Sequence, residues 1–198
     1  MIKNVIFDIG NVLLDFCWKD HIARFGFQGE KADRIAQAMM LGPIWPKLDL
    51  GLESDEDILE QFVAHTPELE QEIRLVFSDL STIVREYEGS VDWIESLKAR
   101  GYHTYYLSNY GERIRREASK ELSFLSHMDG GIMSYTVHLA KPDPAIYQTL
   151  LDRYGLKAEE CVFLDDTVRN VEEAQALGIA GIVVTSQEQA KKELETLL

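Results

Sequence analysis

The chain reads as an α/β protein: a Rossmann-like parallel sheet with a helical cap inserted after its first strand. Three features point to that class. A short apolar run rich in β-formers, Val5-Ile6-Phe7, opens the chain and has the length and composition of a buried strand. From residue 89 onward similar runs alternate with helix-spaced segments, the order produced by right-handed βαβ crossovers in a parallel sheet. Between the two, apolar side chains of residues 16–88 recur at helical spacing, with no convincing strand. The core is therefore expected to be discontinuous, 1–15 with 89–198, and 16–88 to form a lid.

Each element has its own signal. In the insert, Ile35, Met39 and Met40, and then Ile58, Leu59, Phe62 and Val63, recur with helical period. Ser54 three residues before Asp57 resembles a capping box, and Thr66 before Pro67 places a cap ahead of a proline at a first helical position. Gly42-Pro43, Pro46 and Gly51 punctuate the block, in which no strand is expected. Beyond it, Val91 to Lys98 is an amphipathic helix stopped by Gly101. Thr104 to Leu107 is a strand, Arg113 to Leu122 a helix, and Gly130 to Ser134 a weak strand. Asp143 caps a helix that begins at Pro144 and stops at Gly155. Cys161 to Leu164 is the strongest strand after the first. A helix from Val168 to Leu177 stops at Gly178, Gly181 to Val184 is the last strand, and Ser186 with Gln189 caps a final helix.

Composition excludes several classes of function. With 34 acidic against 20 basic residues the net charge is −14, which repels polyphosphates and argues against nucleic acid as a partner. The one dense basic cluster, Arg113, Arg115 and Arg116, reads as a solvated helix face. Two cysteines, Cys17 and Cys161, are too few and too far apart for a disulfide framework or a zinc site. No apolar run has the length of a membrane span. The chain enters a strand at once, without a signal-peptide core, so an intracellular, cytoplasmic location is the expectation. Oligomeric state is left open.

Four segments place polar residues just past a strand or in the loop after it: Asp8, Ser108-Asn109, Lys141 and Asp165-Asp166. In one parallel sheet these share an edge, where open α/β sheets bind ligands. The set comprises an acid, a hydroxyl with adjacent backbone donors, a cation and an acidic pair. Carboxylates can hold Mg²⁺ in an oxygen shell. Lysine and backbone donors can neutralise phosphoryl oxygens, and one carboxylate can attack phosphorus.

The four segments resemble, in order, the four motifs of the haloacid dehalogenase superfamily. They are Phe7-Asp8-Ile9-Gly10-Asn11-Val12, Leu107-Ser108-Asn109, Lys141-Pro142-Asp143-Pro144-Ala145-Ile146-Tyr147, and Phe163-Leu164-Asp165-Asp166-Thr167-Val168-Arg169-Asn170. The insert sits where that family carries its helical C1 cap. The Asp-Asp-x-x-x-Asn form of the fourth motif is similar to glucose-1-phosphate phosphatase-like enzymes and to the phosphatase domain of soluble epoxide hydrolase. The resemblance implies a Mg²⁺-dependent phosphatase of a small metabolite, a sugar phosphate favoured. Asp8 would be the nucleophile. Asp166 would bind the metal together with Asp8 and the carbonyl of Gly10. Ser108 and the amide of Asn109 would hold phosphate, and Lys141 would neutralise Asp8 and phosphate. Asp165 and Asn170 would orient Lys141 and the metal shell.

Residue 10 departs from the pattern. Most phosphatases of the superfamily carry a second Asp there, which protonates the leaving group. General acid–base catalysis of that kind contributes about 10²–10⁴-fold. Asp15 and solvent are the candidate replacements. Two other readings follow from the same glycine: a metal-free dehalogenase-like hydrolase, and a catalytically weak protein that binds phosphorylated ligands. Specificity is expected in the cap, with Trp45 and Lys47 as contacts, although Trp45 also reads as cap core.

Overall fold

In chain order the strands are β1 (Asn4–Phe7), β2 (Leu14–Phe16), β3 (Val84–Glu86), β4 (His103–Ser108), β5 (Gly130–Met133), β6 (Cys161–Asp165) and β7 (Ala180–Val183). They are seen in a computed structural model that describes residues 1–198. Five of them form a parallel sheet in the order β5-β4-β1-β6-β7. The opening strand is thus the centre of the sheet, as its apolar run predicts. Register sets Phe7 beside Tyr106 on one side and Leu164 on the other, so the residues just after β1, β4 and β6 emerge together.

Successive strand residues point to opposite faces. Val5, Phe7, Val162 and Leu164 belong to one apolar cluster, which continues into the insert through Ile35, Ile58, Phe62 and Phe77. Ile6, Tyr105, Leu107 and Phe163 pack on the other face against Tyr147 and Leu150. The insert holds α1 (Trp18–Arg24), α2 (Gly29–Ala38), α3 (Trp45–Leu50), α4 (Asp55–His65) and α5 (Glu70–Phe77). The sheet is flanked by α6 (Ser90–Ala99), α7 (Glu112–Glu117), α8 (Pro144–Tyr154), α9 (Val168–Ala176) and α10 (Gln187–Leu194). Three caps form as the sequence predicts. The side chains of Ser54, Asp143 and Ser186 accept hydrogen bonds from the backbone N–H of Asp57, Ala145 and Gln189. No helix is long and apolar enough to cross a membrane.

Three expectations are corrected. Residues 16–88 do contain a strand: Val84–Glu86 pairs antiparallel with Leu14–Phe16, Phe16 opposite Val84. Three residues carry no period of their own, and the pairing joins positions far apart in sequence. Thr66 makes no side-chain cap, and Pro67–Leu69 is a single 3-10 turn before α5. The helix expected over 113–122 stops at Glu117 and gives way to a kinked 3-10 segment, Ser119–His127. There Glu117 and Glu121 accept the backbone N–H groups of Leu80 and Glu86 at 2.7 and 2.9 Å. The segment thereby satisfies donors of the returning chain, at the expense of helical regularity. Arg113 and Arg116 pair with Glu117 and Asp55, so two of the three arginines of the basic cluster are matched by acids.

Close packing at a sheet edge supplies a stability test. A Cβ added at Gly131 would lie 2.4 Å from the backbone oxygen of Tyr106, an atom that cannot swing aside. Gly131→Ala is expected to cost about 1–3 kcal/mol, read as a lower urea midpoint at unchanged m-value. An unchanged midpoint would contradict this account of the β4–β5 contact.

Candidate active site

The turn after β1 is built around Asp8. Its backbone N–H donates to the Leu164 carbonyl at 2.8 Å, carrying the sheet one residue beyond the strand. The chain then reverses, with Ile9 O accepting from Val12, Leu13 and Leu14. Asn11 takes φ 55°, a left-handed conformation that Asn adopts more readily than most residues. Its side-chain amide donates to Asp166 Oδ2 at 2.8 Å. The turn that frees Asp8 is thereby tied to the end of β6.

Asp8 Oδ1 accepts from the Ile9 N–H at 2.7 Å and pairs with Lys141 Nζ at 2.8 Å. Lys141 Nζ also donates to Asp165 Oδ2 at 2.6 Å. The lysine side chain is 1% exposed and Asp165 is fully buried, so one cation serves two buried carboxylates. Asp165 is further held by the Thr167 N–H at 2.7 Å and the Asn170 amide at 3.0–3.1 Å. The carbonyl of Asn170 in turn accepts from the Tyr147 hydroxyl at 2.9 Å. Lys141 and Asn109 clamp each other: Lys141 N–H donates to Asn109 Oδ1 at 2.7 Å, and Asn109 Nδ2 to the Lys141 carbonyl at 3.0 Å. The backbone N–H of Asn109 has no partner in the chain.

Burial pushes the Asp8 carboxyl up to about 6, with Lys141 and the Ser108 hydroxyl pulling the other way. Burial also works against the charge on Lys141, but Asp8 and Asp165 outweigh it and hold its pKa above the usual lysine value. The lysine is thus held as a cation between the two carboxylates.

Asp8, Asp165 and Asp166 can each offer a carboxylate oxygen within 4.8 Å of the others. Such hard oxygen donors suit Mg²⁺. Asp165 is fully buried, with its oxygens held by Lys141, Thr167 and Asn170, whereas Asp166 is half-buried and lines the same cavity as Gly10; Asp8 and Asp166 are thus the carboxylate donors. The donor set therefore fits a divalent ion.

The structure gathers Asp8, Gly10, Ser108, Asn109, Lys141, Asp165, Asp166 and Asn170 at one sheet edge, as the sequence predicts. Two expectations fail. Asp15 lies on β2, where its carboxylate accepts from Cys17 Sγ at 3.2 Å, and it does not line the cavity beside Gly10. Lys47 faces away, toward Gln61 and Glu53. Trp45 fills both of its readings. It is buried against Phe16 and Phe62, and it forms a wall of the cavity. That cavity, about 240 Å³, is bounded by apolar walls at Phe16, Trp45 and Val84 and by Asp49 and Asp166. Asp49, Asn11, Tyr110 and Thr167 were not singled out from sequence. For Asp49 a signal existed: it is four residues after Trp45, on the same helix face, whereas Lys47 is two residues along and points elsewhere.

A protein-family model for haloacid dehalogenase-like hydrolases matches residues 2–178. The chain belongs to that family. Over 207 aligned residues it is 32% identical to mouse acyl-CoA dehydrogenase family member 10, covering 99% of this chain but 19% of that protein. It therefore spans about a fifth of that relative's length. A phosphorylated carbohydrates phosphatase of Thermotoga maritima is 30% identical over 142 residues, 71% of this chain and 63% of that one. Among solved structures, a HAD family enzyme of Bacteroides thetaiotaomicron in complex with magnesium and inorganic phosphate superposes with TM-score 0.72. The identity is 22%, over 94% of this chain and 96% of that one. The chain thus shares its fold with an enzyme crystallised with magnesium and phosphate.

Proposed function

We propose that the chain is a Mg²⁺-dependent phosphatase of a small phosphate monoester, acting through an aspartyl-phosphate on Asp8. The observation that carries the reading is the group of Asp8, Asp165 and Asp166 with their oxygens within 4.8 Å. A hydrolase working by carboxylate attack alone has no use for that concentration of negative charge. The lysine shared by Asp8 and Asp165 supports it, as does the free N–H of Asn109.

Asp8 Oδ2, the oxygen not held by Ile9 and Lys141, attacks phosphorus while the ester oxygen departs. Lys141, Ser108 and the Asn109 N–H stabilise the phosphoryl oxygens. Asp165 and Asn170 keep Lys141 in place. Asp8, Asp166 and the Gly10 carbonyl would hold Mg²⁺, which supplies charge neutralisation at the phosphoryl group. The helical insert, residues 16–88, acts as the cap, and Trp45 and Phe16 line the leaving-group side. Aromatic walls around a cavity of about 240 Å³ suit the apolar face of a monosaccharide, and the Thermotoga relative supports a sugar phosphate as substrate.

The test is a phosphate-release screen over sugar phosphates, nucleotides and aryl phosphates with Mg²⁺. EDTA is expected to remove activity and Mg²⁺ to restore it. Asp166→Ala is expected to raise the Mg²⁺ requirement by at least about 10–100-fold. Full activity in EDTA would overturn the metal role and favour a dehalogenase-like hydrolase, to be assayed with 2-haloacids.

A further inference from the structure

A departing alkoxide needs a proton, and position 10 offers no side chain to supply it. Three groups lining the cavity beside Gly10 can titrate: Asp49, Tyr110 and Asp166. Asp166 is engaged by Asn11 and Thr167 and belongs to the metal set proposed above. The Tyr110 phenol is raised further above its ordinary value by burial, which makes it a poor acid. Asp49 remains.

Its placement is fixed by the backbone around it. Ser134 Oγ donates to the Asp49 carbonyl, and His138 Nδ1 lies 2.8 Å from the Leu50 carbonyl. Gly51, in the left-handed conformation, ends α3 against Tyr135. These contacts seat the end of α3 on the loop after β5, beside the sheet edge. The Asp49 carboxyl itself makes no hydrogen bond or ion pair within the chain, although its neighbours Lys47 and Glu53 do. It faces the cavity in the field of Asp8 and Lys141. Burial pushes it up to about 7, with the Asp8 charge adding to the shift and Lys141 opposing it. A carboxylic acid in that range is about half protonated at neutral pH, so it can both give up and take back a proton there.

We infer that Asp49, carried by the helical insert, is the general acid–base that takes the place of the side chain missing at residue 10. This rests on the phosphatase reading. In the first step Asp8 Oδ2 forms a bond to phosphorus and the phosphorus–ester oxygen bond breaks. The ester oxygen takes the Asp49 proton and leaves as the alcohol. In the second step water attacks phosphorus and gives a proton to the Asp49 carboxylate. The phosphorus–Asp8 bond then breaks, which releases phosphate and restores both carboxyls.

The experiment compares kcat/KM for 4-nitrophenyl phosphate and a primary alkyl phosphate, with Mg²⁺, in wild type, Asp49→Asn and Asp49→Ser. A nitrophenolate leaves without a proton, whereas an alkoxide does not. Both variants are expected to lose about 10²–10⁴-fold on the alkyl ester and less than about tenfold on the aryl ester. Inhibition by inorganic phosphate should stay within a few-fold of wild type. The aryl rate doubles as the folding control, and Asn preserves the shape of the side chain. Equal losses on both esters in both variants would make Asp49 a residue that shapes the cap, and would overturn the inference. So would an undiminished alkyl rate. If wild type releases phosphate from neither ester, the phosphatase reading itself fails.

Discussion

Asp8→Asn is expected to abolish phosphate release, a loss on the order of 10⁴–10⁶-fold, as for other enzymes stripped of their nucleophile. An amide cannot form the acyl phosphate. The fold is expected to survive, for an electrostatic reason. Lys141 keeps Asp165 as a partner at 2.6 Å, so no cation is stranded. The group removed is one whose ionised form burial already penalises, as its rise to about 6 shows. The check pairs phosphate release with thermal unfolding of the same preparation. A beryllofluoride adduct should form on Asp8 in wild type with Mg²⁺ and be absent from the variant. Near-wild-type turnover in Asp8→Asn would sink the mechanism.

Lys141 should behave in the opposite way, failing in stability as well as turnover. Its removal strands two carboxylates, one of them fully buried and the other 11% exposed. Breaking a buried ion pair from one side costs about 3–5 kcal/mol. Lys141→Met keeps most of the volume, so the loss should report charge rather than packing. The pH dependence has a definite sign. Lys141 lowers the Asp8 pKa, which nevertheless stands above its ordinary 3.8; without the lysine it moves higher. A carboxyl whose folded pKa is raised lends stability below its unfolded pKa and loses it as pH climbs through the folded value. The deficit of Lys141→Met relative to wild type should therefore shrink as pH falls from about 7 toward 4. Urea unfolding in EDTA at several pH values measures it. A deficit that is constant with pH would assign the loss to packing.

Local rules read much of this molecule from its sequence. Asp8 is legible as an acid that stops an apolar strand, and Asp143-Pro144 as a cap with a proline at its first helical position. Both depend on residues within a few positions of one another. The elements that escaped depend on partners far away. Val84–Glu86 is a strand only because Leu14–Phe16 runs beside it. The helix after Gly111 stops short because Glu117 and Glu121 serve donors on residues 80 and 86. Asp49 shows the same limit at the site. It sits on a six-residue helix whose approach to the sheet edge is set by Ser134 and His138, more than eighty residues later. Its distance from Gly10 in sequence hides that they line one cavity. Asp15 is the converse case: it is near Asp8 in sequence, but the pairing of β2 and β3 holds it outside that cavity.

The pairing of Phe16 with Val84 has a consequence for how such a chain can change over time. Opposed residues in an antiparallel ladder lie about 4.5–5.5 Å apart. Everything from Cys17 to Ile83 therefore leaves and rejoins at nearly one point. Any segment whose ends meet at that spacing could be spliced there, since closely spaced ends are what makes an insertion tolerable. The strand-end carboxylates and the lysine would be inherited unchanged, while the helices that wall the cavity, with Trp45 and Asp49 on them, would be exchanged as a unit. A lineage built this way could exchange the walls of its cavity by recombination at a three-residue ribbon, without altering the acids and the lysine at the strand ends.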